Sequence, residues 1–441
     1  MTQAKQSSNG HLIAIITMFF IFAMISFVTN MAAPFGNIWG FRYEWAGMAG
    51  NLMNFTAYLF MGIPAGNMLI KYGYKKTALI ALAVGAIGLG IQLLSSVVGD
   101  NIIVIGGENP TTLNLFIYLL GALVCGVCVC MLNTVVNPML NLLGGGGNKG
   151  NQLIQTGGTL NSLSATLTPL LVGVLVGTLT KDTTMAAVAP LVITGIIIFI
   201  LAFIIISFIK IQEPQANLSK VTYEHHPLAF RHCLLGVIAI FFYVGIEVGI
   251  PGELNAWISR ESFEGAAAVA GSLAAIYWLL MLVGRFLSSI ISGKVSTKVQ
   301  MTTVSSVAII FILIAIFLPE DITFTSPEVK ALNITSGVVP MKCLFLFLCG
   351  LCTSVMWGGI FNLATEGLGK YTAKASGLFM TMVVGGGIMP FIQDWIGRNF
   401  GYVNSYWLVL AMLIYILYYS LIGSKNVNTD IPVDEMVSDP V

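Results

Sequence analysis

The sequence predicts an all-α integral membrane protein with twelve transmembrane helices arranged as two six-helix bundles. Three observations carry that expectation: an apolar composition, a regular series of spanning-length runs, and a duplicated pattern on either side of one polar linker. Of the 441 residues, 56% are hydrophobic and 9% charged, and the mean hydropathy is +0.88. That leaves too little polar surface to coat a water-soluble globule of this size. A net charge of +1 gives no sign of a nucleic-acid partner.

A spanning helix needs about 20 mainly apolar residues. Such runs lie near 11–33, 46–70, 77–98, 113–142, 152–178, 185–209, 233–252, 265–291, 300–318, 342–364, 376–397 and 404–423. The first is too long for a cleaved signal and lacks both a charged leading segment and a small-residue cleavage site, so it is expected to remain as a helix. With both termini placed in the cytoplasm, fourteen of the twenty Lys and Arg residues fall on the inner side, the bias expected of inner loops. The seven cysteines (125, 128, 130, 233, 343, 349 and 352) lie in or at the edge of these runs, where packing is expected rather than a disulfide framework or a zinc site.

The long polar connection KIQEPQANLSKVTYEHHPLAFRHC, 210–233, falls between the sixth and seventh runs. It divides the chain into an amino-terminal bundle (1–209), a cytoplasmic linker (210–232), a carboxy-terminal bundle (233–423) and an acidic tail (424–441) expected to be disordered. The halves echo each other. GIPAGNMLIKYGYKK from Gly62 and GRFLSSIISGKVSTKVQ from Gly284 each end a run in a short basic loop, 222 residues apart. Such a duplication is what a parallel-repeat secondary transporter presents, and it places a solute site near the midplane between the halves.

Hydrocarbon cannot satisfy an amide or a carboxylate, so polar groups inside runs either bond across helices or face an aqueous pathway. Asn30 lies four residues before Pro34 and either lines a site or repairs a loosened helix. In NTVVNPMLNLLG, Asn133, Asn137 and Asn141 share one helical face; Pro138 frees the carbonyl of Thr134, the first two amides are expected to be functional, and Asn141 to cap the adjoining loop. The fifth run carries Gln155, Gly158, Asn161, Ser164 and Thr168 at intervals of three or four, a polar face that favours a pathway over packing.

In the seventh run Glu247 is an embedded carboxylate with no evident cation on its own helix, and Tyr243 is one turn away. An intramembrane carboxylate marks a functional site by default; coupling, substrate contact and a structural hydrogen bond are the readings open to it. Glu253 and Asp394 lie nearer the outer ends, where water is expected to reach them, and Arg285 is expected at the inner face as an ion-pair or snorkelling residue. Trp278 and Trp357 offer a flat apolar face of the kind that binds a sugar ring, with Asn362 nearby to read hydroxyls. Gly385, Gly386 and Gly387 with Pro390 are expected to let the eleventh helix bend.

These words resemble a known group. NTVVNPMLNLLG (133–144), TLNSL (159–163), FYVGIEV (242–248), IFNLATEGLGKYTAKAS (360–376) and VVGGGIMP (383–390) are similar to segments of the major facilitator superfamily, and within it of the fucose/glucose/galactose:proton symporter family. The resemblance implies the major facilitator fold, alternating access, a monosaccharide in a central cavity and a proton moving alongside it. The chain departs from the family at both acids: those of the first and fourth spans are replaced here by Asn30 and Asn133. The glutamine of the fifth span maps to Gly158, while the asparagine there is kept as Asn161.

An asparagine does not take up or release a proton near neutral pH. Coupling is therefore open among protonation at Glu247, a sodium ion held by amide and carbonyl oxygens, and passive facilitation. The expectation is an inner (plasma) membrane importer of a hexose or deoxyhexose, working as a monomer in the bilayer without a resident cofactor. Its sugar would meet Asn30, Asn133, Asn137, Gln155, Asn161, Tyr243, Glu247, Trp278, Trp357 and Asn362. Efflux of an amphipathic solute is less favoured with one deep acid. A membrane enzyme is disfavoured because His11, His225, His226 and His232 all lie at ends or in the linker.

Overall fold

The computed structural model describes residues 2–47, 49–107, 110–175, 183–209, 221–332 and 334–433. Among them, ten helices are long and apolar enough to cross a membrane. Two features bring this to twelve crossings. Helix α2 (Ala49–Leu94) has 46 residues, about 69 Å at 1.5 Å per residue, against a hydrocarbon core of about 30 Å. It crosses twice, and Gly73 at φ 78°, ψ 175° breaks the helical path between its two legs. Helix α4 (Gly147–Leu175) is the other crossing; its amides and hydroxyls lower its hydropathy because they face protein rather than lipid.

The first bundle is α1 (Thr2–Arg42), α2, α3 (Leu113–Leu143), α4 and α5 (Ala189–Phe208); the second is α6 (Arg231–Ile258), α7 (Ala266–Ile291), α8 (Thr297–Phe317), α9 (Lys342–Thr365), α10 (Thr372–Met382), α11 (Gly385–Phe400) and α12 (Tyr402–Tyr418). Within the first, α2 packs on α3 and α5, and α1 on α4; within the second, α9 packs on α7 and α8, and α6 on α11. The eleventh crossing is interrupted between Met382 and Gly385, where glycines and the nearby Pro390 were expected to bend it. Two short hairpins, Ile103–Ile105 with Thr111–Thr112 and Thr323–Thr325 with Val338–Pro340, close connections at the end remote from the linker.

The halves meet through α2 with α10 and through α4 with α7. Glycine makes the first approach possible: a Cβ on Gly377 would stand 2.6 Å from the carbonyl oxygen of Gly62 and 2.9 Å from the Cα of Gly66. The expected lability of the tail does not extend to its first ten residues, since Lys370 N–H donates to Val433 O at 3.1 Å and Arg231 N–H to Asn428 Oδ1 at 2.9 Å. Linker residues 210–220, tail residues 434–441 and the end of the fifth run beyond 175 lie outside the described residues. All seven cysteines are buried and free, as packing requires.

Candidate functional site

Pro138 removes a backbone donor from α3, and the freed carbonyl of Thr134 is taken up across the halves by Ser376 Oγ on α10 at 3.0 Å. The same turn carries the amide stripe. Asn133 Nδ2 donates to Tyr58 Oη on α2 at 2.8 Å, and Asn137 Nδ2 donates to the carbonyl of Asn133 at 2.8 Å. Trp357 Nε1 on α9 then donates to Asn137 Oδ1 at 2.9 Å, so the stripe ends on an indole of the opposite half. The Trp357 ring lies 6.2 Å from that of Tyr243 on α6, whose buried hydroxyl stands beside Glu247 and Arg285.

One turn beyond Tyr243, Glu247 Oε1 accepts from Arg285 on α7 at 3.1 Å, with the two side chains 15% and 12% exposed. The other arm of the guanidinium donates to Ser162 Oγ on α4, in the first half, at 2.8 Å. Arg285 thus forms the expected ion pair, but inside the protein and not at the membrane face. Its position was readable: it lies six residues before the end of α7, about 9 Å inside the helix. It also lies seven residues after Trp278, on the same face. A planar guanidinium offers several donors in a fixed fork, so one residue can hold a carboxylate in its own half and a hydroxyl in the other.

Toward the linker end the halves are bolted together. Asn141 Nδ2 donates to Asn362 Oδ1 at 3.2 Å and to Thr365 Oγ1 at 3.1 Å, and Asn362 Nδ2 continues to Thr297 Oγ1 at 3.0 Å. Asn141 is therefore an inter-half contact through its side chain, not the loop cap expected; the loop is held by its backbone, with Gly146 N–H donating to Asn141 O at 2.9 Å. Gln155 Nε2 donates to Val355 O at 2.9 Å, Asn151 Nδ2 to Ser292 Oγ at 3.3 Å and Gln152 Nε2 to Ser289 O at 3.0 Å. Every one of these bonds lies on the linker side of Glu247.

The remaining expected residues stand apart from this assembly. Asn30 Nδ2 is bonded within its own helix, to Ser26 O at 2.8 Å. Asn161 Nδ2 donates to Phe22 O on α1 at 2.9 Å. Trp278 is 42% exposed and touches Tyr277 edge-on. Glu253 departs from expectation: it is only 3% exposed, because Gly397 of α11 presses its backbone against the carboxylate. Asp394 is half-buried and pairs with Arg398 at 2.8 Å. No group of three or more His, Cys, Asp or Glu side chains that could hold a metal is present among the described residues.

Two helical bundles that enclose a polar layer at their interface, closed at one end by side-chain bonds between the halves, define a membrane transporter of the alternating-access class. The profile of the Major Facilitator Superfamily matches residues 13–389, and the chain belongs to that superfamily. A Brucella abortus protein described as a glucose/galactose transporter is 27% identical over 434 residues, covering 96% of this chain and 97% of its own. Among solved structures, the E. coli fucose:proton symporter FucP superposes with a TM-score of 0.74 at 17% identity, over 94% of this chain and all of that one. The proton:xylose symporter XylE gives 0.67 at 10% identity, over 94% and 97%.

Proposed function

We propose that the chain imports a monosaccharide of the hexose or deoxyhexose class across the plasma (inner) membrane, coupled to an ion. The observation that carries this is the polar layer at the bundle interface of a chain that matches a glucose/galactose transporter from end to end. Amides, an indole and a charge pair converge there from both halves. Sugar hydroxyls both donate and accept, and amides with a tryptophan face supply each kind of partner. The domain boundaries at 209, 232 and 423, both termini in the cytoplasm, and a monomer are part of the same proposal.

With that orientation the bonds of Asn141, Gln155 and Asn151 close the cytoplasmic side, so the conformation is one closed toward the cytoplasm. The solute would meet Asn133, Asn137, Trp357, Tyr243 and Glu247 at the interface, with Asn30, Asn161 and Trp278, outside the bonded assembly, as further contacts. Gln155 and Asn362 act on the solute through closure of the cytoplasmic side. Glu247 is the coupling group: when it is ionised Arg285 is engaged, and when it is neutralised the guanidinium loses its carboxylate. Asn30 and Asn133 are not titratable, which leaves this carboxylate as the coupling residue at the interface. The test is counterflow of labelled monosaccharides in proteoliposomes. Exchange of one or more hexoses is expected; exchange of lipophilic cations with no monosaccharide would overturn the reading.

A further inference from the structure

A second buried carboxylate lies away from this interface, at the end of the second bundle remote from the linker. Helices α6 and α11 pack there with two glycines opposite two oxygen-bearing side chains: Gly249 faces Gln393, and Gly397 faces Glu253. Each helix carries its glycine one turn from its own polar residue. The polar head of each side chain therefore fills the gap left by the other helix's missing Cβ. A larger residue at either glycine would displace an oxygen.

Two of the oxygens held this way are unsatisfied. Glu253 Oε1 and Gln393 Oε1 are buried without a hydrogen-bond partner among the described residues, in side chains that are 3% and 0% exposed. The Gln393 amide is oriented by its own nitrogen, which donates to Ser405 Oγ of α12 at 3.4 Å, while that hydroxyl donates to Tyr402 O at 2.7 Å. The Ser405 hydroxyl is within hydrogen-bonding reach of the Glu253 carboxylate, and the other donors near the pair are engaged elsewhere. Tyr406 Oη is turned to Ile250 O at 3.3 Å, Arg260 is engaged by Tyr402 Oη, and Arg398 is engaged by Asp394 at 2.8 Å. Asp394, Arg398, Arg260, Tyr402 and Tyr406 are the charged and titratable groups that face Glu253.

A buried carboxylate with no cationic partner is strongly disfavoured, and an acceptor without a donor adds to the cost. A positively charged species bound at this junction relieves the carboxylate and gives the amide oxygen, one turn away, a partner. We infer that the junction of α6, α11 and α12 is a cation site, in which Glu253 Oε1 and Gln393 Oε1, with Ser405 Oγ beside them, hold either a proton or a monovalent metal ion. A proton would make Glu253 a neutral donor; a sodium ion would take the oxygens as ligands. The site is distinct from the Glu247–Arg285 pair, whose carboxylate already has its cation.

The site is tested on purified, sugar-free protein in nanodiscs, so the outcome does not depend on what is transported. The unfolding temperature is followed at fixed ionic strength as sodium chloride replaces choline chloride, and separately as pH is varied, for the wild type, Glu253→Gln and Gln393→Leu. Infrared spectroscopy follows the carbonyl band of a protonated carboxyl group in parallel. A sodium ion is indicated by a saturable rise of several degrees in the wild type that Glu253→Gln abolishes and that Gln393→Leu moves to about tenfold higher sodium. A proton is indicated by a pH-dependent rise and a protonated-carboxyl band, both lost in Glu253→Gln. If the wild type responds to neither, or the response persists in Glu253→Gln, the site does not exist. If Glu253→Gln does not fold, Gln393→Leu decides, and an unshifted midpoint overturns the inference.

Discussion

Arg285 holds Glu247 of its own bundle at 3.1 Å with one arm and Ser162 of the opposite bundle at 2.8 Å with the other. The charge state of one carboxylate is thereby joined to a contact between the halves. In a protein that works by moving one bundle against the other, that joint is where an ion and a conformation can influence each other.

Replacing Arg285 by Gln removes the cation and leaves Glu247 enclosed without its partner. Breaking one side of a buried pair costs about 3–5 kcal/mol, and the 12–15% exposure of these side chains reduces that to about 2–3 kcal/mol. The single variant is expected to melt lower than the double variant Glu247→Gln/Arg285→Gln, in which no charge is left stranded. Equal melting of the two would show that the pair contributes nothing beyond its separate side chains.

Trp357 reads Asn137 across the halves through its indole N–H. Trp357→Phe keeps a ring and loses that donor. One lost hydrogen bond of about 1–1.5 kcal/mol corresponds to about tenfold weaker sugar binding, measured by calorimetry or by the half-saturation of counterflow. Trp278→Phe removes no inter-half bond and is expected to have the smaller effect.

Gly377 allows α10 to lie against α2. Gly377→Val adds atoms where a Cβ alone would stand 2.6 Å from the Gly62 carbonyl, at a typical cost of about 1–3 kcal/mol for overpacking. Because this contact holds the two halves together in the conformation whose linker end is closed, the variant is expected to populate the opposite conformation. A single cysteine placed at Asn362 in a background without the native thiols should then react faster with a maleimide from the linker side; an unchanged rate would refute that role.

His226 precedes the seventh crossing, and its ring accepts the N–H of Leu228 at 3.3 Å. Partial burial, and after it the charge of Lys374, hold its pKa below the ordinary value. The folded loop thus favours neutral imidazole, and the unfolded loop binds more protons as pH falls past about 6.5. The anchoring of residues 221–230 is complete above that range and weakens below it. Amide exchange in this segment should quicken on acidification in the wild type and lose its pH dependence in His226→Gln, beyond the intrinsic pH effect on exchange.

The crossings were legible because each is a run of spanning length, and the interruption of the eleventh between Met382 and Gly385 adjoins its three glycines. The carbonyl freed by Pro138 was likewise readable, since a proline's missing donor is a local fact; that Ser376 takes it up was not. What sequence alone left hidden depends on which helices are neighbours. Arg285 looked like a boundary cation until α6 supplied Glu247 and α4 supplied Ser162. Asn141 sits next to a glycine loop in sequence, yet its amide crosses to Asn362 and Thr365. Glu253 lies near a helix end, where water is expected, and only the close approach of Gly397 buries it.

The central claim is that Glu247 couples an ion to sugar movement, and transport by Glu247→Gln in proteoliposomes tests it most directly. Counterflow of labelled hexose, which needs only the two conformations, should survive. Accumulation driven by an imposed proton gradient should disappear. Proton-driven accumulation at the wild-type level in the variant would contradict the account.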